Sequence, residues 1–362
     1  MNENLSRYLT REDATIVDAM QRLDRNAGGV LYVIDAESKL IGSLSDGDIR
    51  RWIIKSGDIE ASVSSAMRRA VRYIREDEKP RAYEFMRKNS IVSVPIVDAD
   101  GTVVEVIVES RSKRTRGMRE KALSDTPVVV MAGGKGTRLY PYTRILPKPL
   151  IPVDGIPILE RIFDSFFEYG VGEFYLSVNY RKEMIKSYFA DLNPGYSIRY
   201  IDEKTPLGTA GSLNMVKDYI KAPFIVTNCD ILINEEYDKI LSRHRESGNC
   251  MTIVSSLKNT QLPYGVLHVK EDGIITEIEE KPTFSHLINT GMYVMEPEAL
   301  QYIPEGEIFH MTDLIGELMK NKQPVGMYPI SENAFLDMGE FEEFSRMEEM
   351  LKNGLRHEGN RL

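Results

Sequence analysis

From Pro127 onward the chain passes through six short stretches rich in β-branched residues: PVVVMA, EFYLSV, SIRYID, PFIVTN, CMTIVSS and GMYVM. Amphipathic segments, ILERIFDSFFEYG and SLNMVKDYI, stand between some of them. Strands that alternate with helices must bury both faces of a sheet, so the pattern predicts an α/β domain with a mostly parallel sheet. Ligands of such folds bind outside the carboxyl ends of the strands. The residues that close each strand are therefore the first place to look for chemistry.

The first 110 or so residues follow another plan. A helical pattern, the strand LYVID, the turn AESK, the strand LIGSLS and the helix beginning near DIRRW are followed by EDEKPRAYEFMRKNS and IVSVPIVDADGTVVEVIVES. A helix, a strand, a short turn and a second strand thus occur twice, at a spacing of about 60 residues, the mark of an internal repeat. The repeat resembles a tandem pair of CBS domains, small α+β regulatory modules that bind adenosine ligands. In that family a glycine, a Ser/Thr and an aspartate hold a ribose, and Gly42, Ser45 and Asp48 in GSLSDGD match. The resemblance implies an adenosine or other purine nucleotide at this place. Read as residues alone, Ser45 and Asp48 equally suit the cap of the following helix. The second copy carries Glu105, Val108 and Arg111 at the matching positions, so at most one such site is intact.

The length of 362 residues favours two domains, expected at 1–120 and 125–352. The basic run SRSKRTRGMREKALSD between them is read as a solvated linker in preference to a phosphate patch. A net charge of -9 argues against general affinity for nucleic acid. No apolar run reaches the roughly 18 residues of a membrane span, and MNENLSRYLTRED lacks the layout of a signal peptide, so a cytoplasmic protein with no membrane partner is expected. Cys229 and Cys250 are the only cysteines, too few for a disulfide framework or a thiolate metal site.

Behind PVVVMA comes GGKGTRLYPYTRILPKPLIPV. Glycines at a strand end let backbone N–H groups approach a polyphosphate, and Lys135 and Arg138 add charge. It is not a Walker A loop, because Gly136 follows the lysine. Nor is it a dinucleotide fingerprint, because Leu139 stands where a third glycine is needed. Prolines at 141, 147, 149 and 152 predict a stiff, extended carrier for Lys148.

The whole segment resembles the signature of the sugar nucleotidylyltransferases, which join a nucleoside triphosphate to a sugar 1-phosphate and release pyrophosphate. The likeness covers residues 127 to about 345 and implies a Rossmann-like domain. It implies that Ala132, Gly133, Gly134, Lys135, Gly136 and Thr137 line the triphosphate, that Lys135 and Arg138 meet its outer phosphates, and that Lys148 neutralises charge near the α-phosphate. In EKTPLGTAGSL, Leu207, Gly208 and the helix opening at Thr209 would surround the base; read alone, Thr209 is a helix cap. Gly265, Glu280, Lys281, Asn289 and Gly291 would serve the sugar and its phosphate, and Asp230 and Asp337 would hold Mg²⁺. The chain offers no Ser-His-Asp or Cys-His arrangement, and none of His244, His268, His286, His310 and His357 lies in a matched motif.

PLGTAG is closer to the guanylyl- and cytidylyltransferase form than to the thymidylyltransferase form. A CBS pair ahead of such a domain resembles the glucosamine-1-phosphate guanylyltransferases of GDP-legionaminic acid biosynthesis. The expectation is GTP with glucosamine 1-phosphate, in a homo-oligomer, because CBS pairs associate. Mannose 1-phosphate, and CTP, UTP or dTTP as donor, are the alternatives. A catalytically silent nucleotide sensor is the alternative of another class.

Overall fold

The computed structural model describes residues 3–24, 26, 29–108, 121–339 and 341–356. Arg111, His357 and most of the basic run therefore lie outside the described residues. The chain divides into two compact units, Met1–Arg114 with Leu257–Leu287 and Thr115–Ser256 with Ile288–Leu362. Residues 257–287, which the sequence pattern assigns to the later domain, thus group with the first unit.

The first unit contains the repeat. In the first copy the strand Leu9–Arg11 runs parallel to Val30–Ile34, which pairs antiparallel with Leu40–Ser45. In the second, Ile74–Arg75 is parallel to Ser93–Val97, which is antiparallel to Val103–Val108. Each antiparallel pair shifts register at the corresponding step, Val33/Ile34 in one and Ile96/Val97 in the other, so that Gly42 opposite Val33 corresponds to Glu105 opposite Ile96. The turns agree as well. Asp35 Oδ1 accepts from the backbone N–H of Glu37 and Lys39 at 3.0 and 2.8 Å, and Asp98 Oδ1 accepts from those of Asp100 and Thr102 at 2.9 Å each. The copies meet where the hydroxyls of Tyr32 and Ser93 lie 2.9 Å apart. The same unit carries a two-stranded ribbon, Gly265–Val269 against Ile275–Glu280.

The second unit is built on a seven-stranded sheet ordered Ser197–Asp202, Glu173–Val178, Val128–Ala132, Phe224–Asn228, Thr283–Met295, Met251–Gln261, Val325–Ile330. The first four strands are parallel and Thr283–Met295 runs against Phe224–Asn228, giving the mostly parallel mixed sheet that the sequence predicts. Every residue of Val128–Ala132 is buried. Val128 and Val130 join a core with Phe163, Phe166 and Phe174, whereas Val129 and Met131 join a second core with Leu213, Phe224 and Leu314. Alternate side chains of a strand point to opposite faces, so this run is apolar at every position because both faces are covered. The helix Ile158–Phe167 forms as expected, but SLNMVKDYI yields only the 3-10 turn Gly211–Val216. Its start is tied down from outside, since the N–H groups of Ala210 and Gly211 both donate to the Phe309 carbonyl at 3.0 Å.

Candidate active site

The glycine loop leaves the carboxyl end of the central strand, as the sequence predicts. Gly134, Lys135, Thr137 and Arg138 are exposed there. Two of its glycines are required by their neighbours. A Cβ on Gly133 would fall 2.7 Å from Glu203 Oε1, and one on Gly136, whose φ is +64°, would fall 3.0 Å from both Lys148 Cβ and Thr143 Cγ2. The loop is therefore pressed against the residues that carry the rest of the site.

Lys148 is not on an extended segment. Pro147 precedes a 3-10 turn, Lys148–Leu150, whose bonds run from Leu150 N–H to Pro147 O at 2.9 Å and from Ile151 N–H to Lys148 O at 3.1 Å. Proline is readily accepted in the first turn of a helix, and Pro149 occupies that place here. The turn still achieves stiffness, and it buries Lys148 to 7% exposure with its ammonium paired to the Asp230 carboxylate. Asp230 follows the strand Phe224–Asn228, and Ile231–Ile233 pairs antiparallel with Phe335–Asp337, setting Ile231 opposite Asp337. The Asp230 carbonyl also accepts from Met338 N–H at 2.8 Å. Two acidic residues 107 positions apart in sequence are thereby fixed side by side.

Burial, and then the charge of Asp230, push the Asp337 carboxyl above the usual range, against the pull of Lys148, the Gly339 N–H and Arg138. Two neighbouring carboxylates, with Asp337 costly to ionise, suit a hard divalent cation. Among the described residues no three His, Cys, Asp or Glu side chains converge, so a cation here would draw on two carboxylates and complete its shell from elsewhere. The adjacent Cys229 thiol is pushed up to about 12 by burial and by Asp230, which keeps it unreactive.

The segment expected to surround the base is held by a residue the sequence reading passed over. Glu203 is buried, accepting from Ser177 Oγ at 2.6 Å through Oε1 and from Leu207 N–H at 3.0 Å through Oε2. Leu207 O accepts from Phe309 N–H at 2.9 Å, and Gly208, with φ +80°, has no room for a Cβ, which would lie 2.6 Å from the Phe309 carbonyl. Thr209 does act as a cap, though not of a helix that it opens. Its hydroxyl accepts from Met311 N–H at 2.9 Å, at the start of the helix Met311–Lys320. Nothing local in the sequence singles out Glu203, because its burial and its partners Ser177 and Leu207 are set by the fold. The partner stretch 307–311 has no local signature.

Asn289 and Gly291 share a turn on the strand Thr283–Met295. Asn289 Oδ1 accepts from Gly291 N–H at 3.0 Å and its Nδ2 donates to Tyr293 Oη at 2.8 Å. Gly265, Glu280 and Lys281 belong to the first unit, where the structure brings them to one another. Gly265 pairs with Glu280 across the ribbon, and Lys281, at φ +52°, donates its N–H to Tyr264 O at 3.2 Å.

In the repeat, Ser45 and Asp48 form a capping box on the helix Asp46–Ser56: Asp48 N–H donates to Ser45 Oγ at 3.3 Å and Ser45 N–H to Asp48 Oδ2 at 3.0 Å. The other carboxylate oxygen of Asp48 takes Arg68 Nε at 2.6 Å and Arg51. Burial works against this carboxylate, but the bonds from Ser45, Arg68 and Arg51 hold it below the usual range. Gly42 admits the segment behind it, since a Cβ would meet Met67 Sδ at 2.8 Å. The corresponding place in the second copy is filled by Glu105, paired with Lys79.

Comparison with known proteins places this fold in a family. The description Nucleotidyl transferase matches residues 127–354 and CBS domain matches 9–55, so the chain belongs to the nucleotidyl transferase family and carries a CBS domain at its N-terminal end. It is 36% identical over 205 residues to Bifunctional protein GlmU of Methanococcus maripaludis, covering 53% of this chain and 47% of that one. It is 30% identical over 217 residues to D-glycero-alpha-D-manno-heptose 1-phosphate guanylyltransferase of Campylobacter jejuni, covering 60% of this chain and 96% of the relative. The crystal structure of HddC from Yersinia pseudotuberculosis superposes with a TM-score of 0.51 at 26% identity, over 62% of this chain and 99% of that one. The chain spans about half the length of several curated relatives it matches. Among the described residues no helix is long and apolar enough to cross a membrane.

Proposed function

We propose that the protein transfers GMP from GTP to a sugar 1-phosphate, glucosamine 1-phosphate first, releasing pyrophosphate and forming a GDP-sugar. The observation that carries this reading is the buried Lys148–Asp230 pair beside Asp337 at the carboxyl edge of the sheet. A guanylyltransferase relative matched along nearly its full length, together with the PLGTAG form, supports guanine. Mannose 1-phosphate is the next acceptor, and CTP, UTP or dTTP the next donors.

In this reading a phosphate oxygen of the sugar 1-phosphate attacks the α-phosphorus in line, and the bond to the β-phosphate oxygen breaks as pyrophosphate departs. No covalent nucleophile is needed. The loop from Ala132 to Thr137 presents backbone N–H groups to the triphosphate, with Lys135 and Arg138 on its outer phosphates. Lys148, already desolvated and fixed by its turn, offsets the repulsion of two approaching anions, and Lys281 does the same from the sugar side. Gly265, Glu280, Asn289 and Gly291 serve the sugar, while Leu207, Gly208 and Thr209 flank the base. Asp230 and Asp337 would hold Mg²⁺, which as a Lewis acid supplies charge neutralisation at the phosphates. A purine nucleotide at Gly42, Ser45 and Asp48 would regulate the transfer, and a homo-oligomer built through the CBS pair is the expected assembly.

Pyrophosphate release from the purified protein with Mg²⁺ tests this reading, with GTP, CTP, UTP, dTTP and ATP set against a panel of sugar 1-phosphates. Release with GTP and glucosamine 1-phosphate is expected. Release with another pair corrects the substrates, and silence across the matrix from folded protein overturns the assignment.

A further inference from the structure

We infer that Asn228 binds the sugar 1-phosphate directly, as a contact residue lying between the nucleotide loop and the sugar pocket. The inference rests on the proposed reaction. Asn228 is the last residue of the strand Phe224–Asn228 and lies two positions before Asp230. On one side it is in register with Met131 of the central strand, which leads straight into the glycine loop. On the other side Thr227 is paired with Met292, which brings Asn228 level with Gly291.

The contact with Gly291 is close. A Cβ there would lie 2.4 Å from Asn228 Nδ2 and 3.0 Å from its Cγ, so any side chain at 291 would displace the carboxamide. Asn289, in the same turn, bonds Gly291 N–H through Oδ1 and Tyr293 through one Nδ2 hydrogen. Asn228 is different. Among the described residues no group hydrogen-bonds its carboxamide, although the residue is half-buried at the edge where the two substrates would meet.

The Asn228 amide atoms are not shut away from solvent, so their donors and acceptor are open to an incoming ligand. An amide suits this place, because it donates to a phosphate oxygen or accepts from a sugar hydroxyl without adding a third negative charge beside Asp230 and Asp337. Phosphate oxygens and ring hydroxyls are what the acceptor brings, whereas the nucleotide loop already has its own N–H groups.

The test is steady-state kinetics on Asn228→Ala and Asn228→Asp with each substrate varied in turn, alongside thermal melting. The expected result is a KM for the sugar 1-phosphate raised on the order of ten-fold in Asn228→Ala, and further in Asn228→Asp, with KM for the triphosphate within two-fold of wild type, as for about one lost hydrogen bond. Melting temperatures should stay close to wild type. Unchanged kinetics in both Asn228 variants, or a rise confined to the triphosphate KM, would overturn the inference while leaving the reaction intact. A wild-type protein inactive with every pair would overturn both.

Discussion

Gly133 and Glu203 are fitted to each other, the glycine leaving just the space that the buried carboxylate fills, with a would-be Cβ only 2.7 Å from Oε1. The glycine loop and the loop of Leu207 therefore share one buried acid. Gly133→Ala should push Glu203 off Ser177 and Leu207, costing roughly 1 to 3 kcal/mol of stability and weakening nucleotide binding. Glu203→Gln retains the shape but replaces one acceptor by a donor facing Ser177 or the Leu207 N–H, and should cost a similar amount. Urea unfolding and GTP titration of each variant check both expectations.

Removing either partner of the buried Lys148–Asp230 pair leaves a charge without its neighbour. Lys148→Ala and Asp230→Asn should each lower turnover on the order of 10² to 10³, with the fold intact by circular dichroism. Wild-type turnover in either variant would remove that residue from the reaction.

Asp337 gives a signature readable without turnover. Its folded-state pKa is raised, so it contributes stability at low pH that is lost as pH rises through that value, in the range just above ordinary carboxylates. A divalent cation relieves the cost of the ionised pair. Mg²⁺ should therefore raise the melting temperature at neutral pH more than in acid, and Asp337→Asn should flatten both the pH dependence and the response to Mg²⁺.

In the repeat, Asp48→Ala removes half of a capping box and releases Arg51 and Arg68. A loss of about 1 to 2 kcal/mol from the first unit is expected. A purine nucleotide that reached Asp48 through its ribose would have to displace these arginines. Titrating purine nucleotides against initial rate, with and without Asp48→Ala, checks for control through this place, and no change with any of them would exclude it.

Much of the sheet was legible because burial on both faces leaves no polar position in a run such as VVVMA, and the strand end then marks the site. Asp230 and Asp337 were legible only as an ordered pair, since the ribbon that sets them side by side joins segments distant in the chain. The carrier of Lys148 was misread, because prolines fix φ without choosing between an extended run and a 3-10 turn. Glu203, Asn228 and the clamp of Phe309 on Leu207 and Gly208 were illegible for one reason: each depends on a neighbour across the sheet or from a distant loop. Ser45 and Asp48 fit a cap and a ribose site equally by residue type, and the folded chain uses them as the cap.

The matching register shifts of the two small sheets, at Val33/Ile34 and Ile96/Val97, also bear on ancestry. A slip repeated at the corresponding step in both halves is what a copied gene segment hands down, like a misprint carried into a second edition. The backbone kink is the same in both halves, whereas the side chains differ, with Glu105 and Val108 standing where the first half has Gly42 and Ser45. One frame thus stands twice in the first unit, and its two copies carry different side chains at the corresponding place.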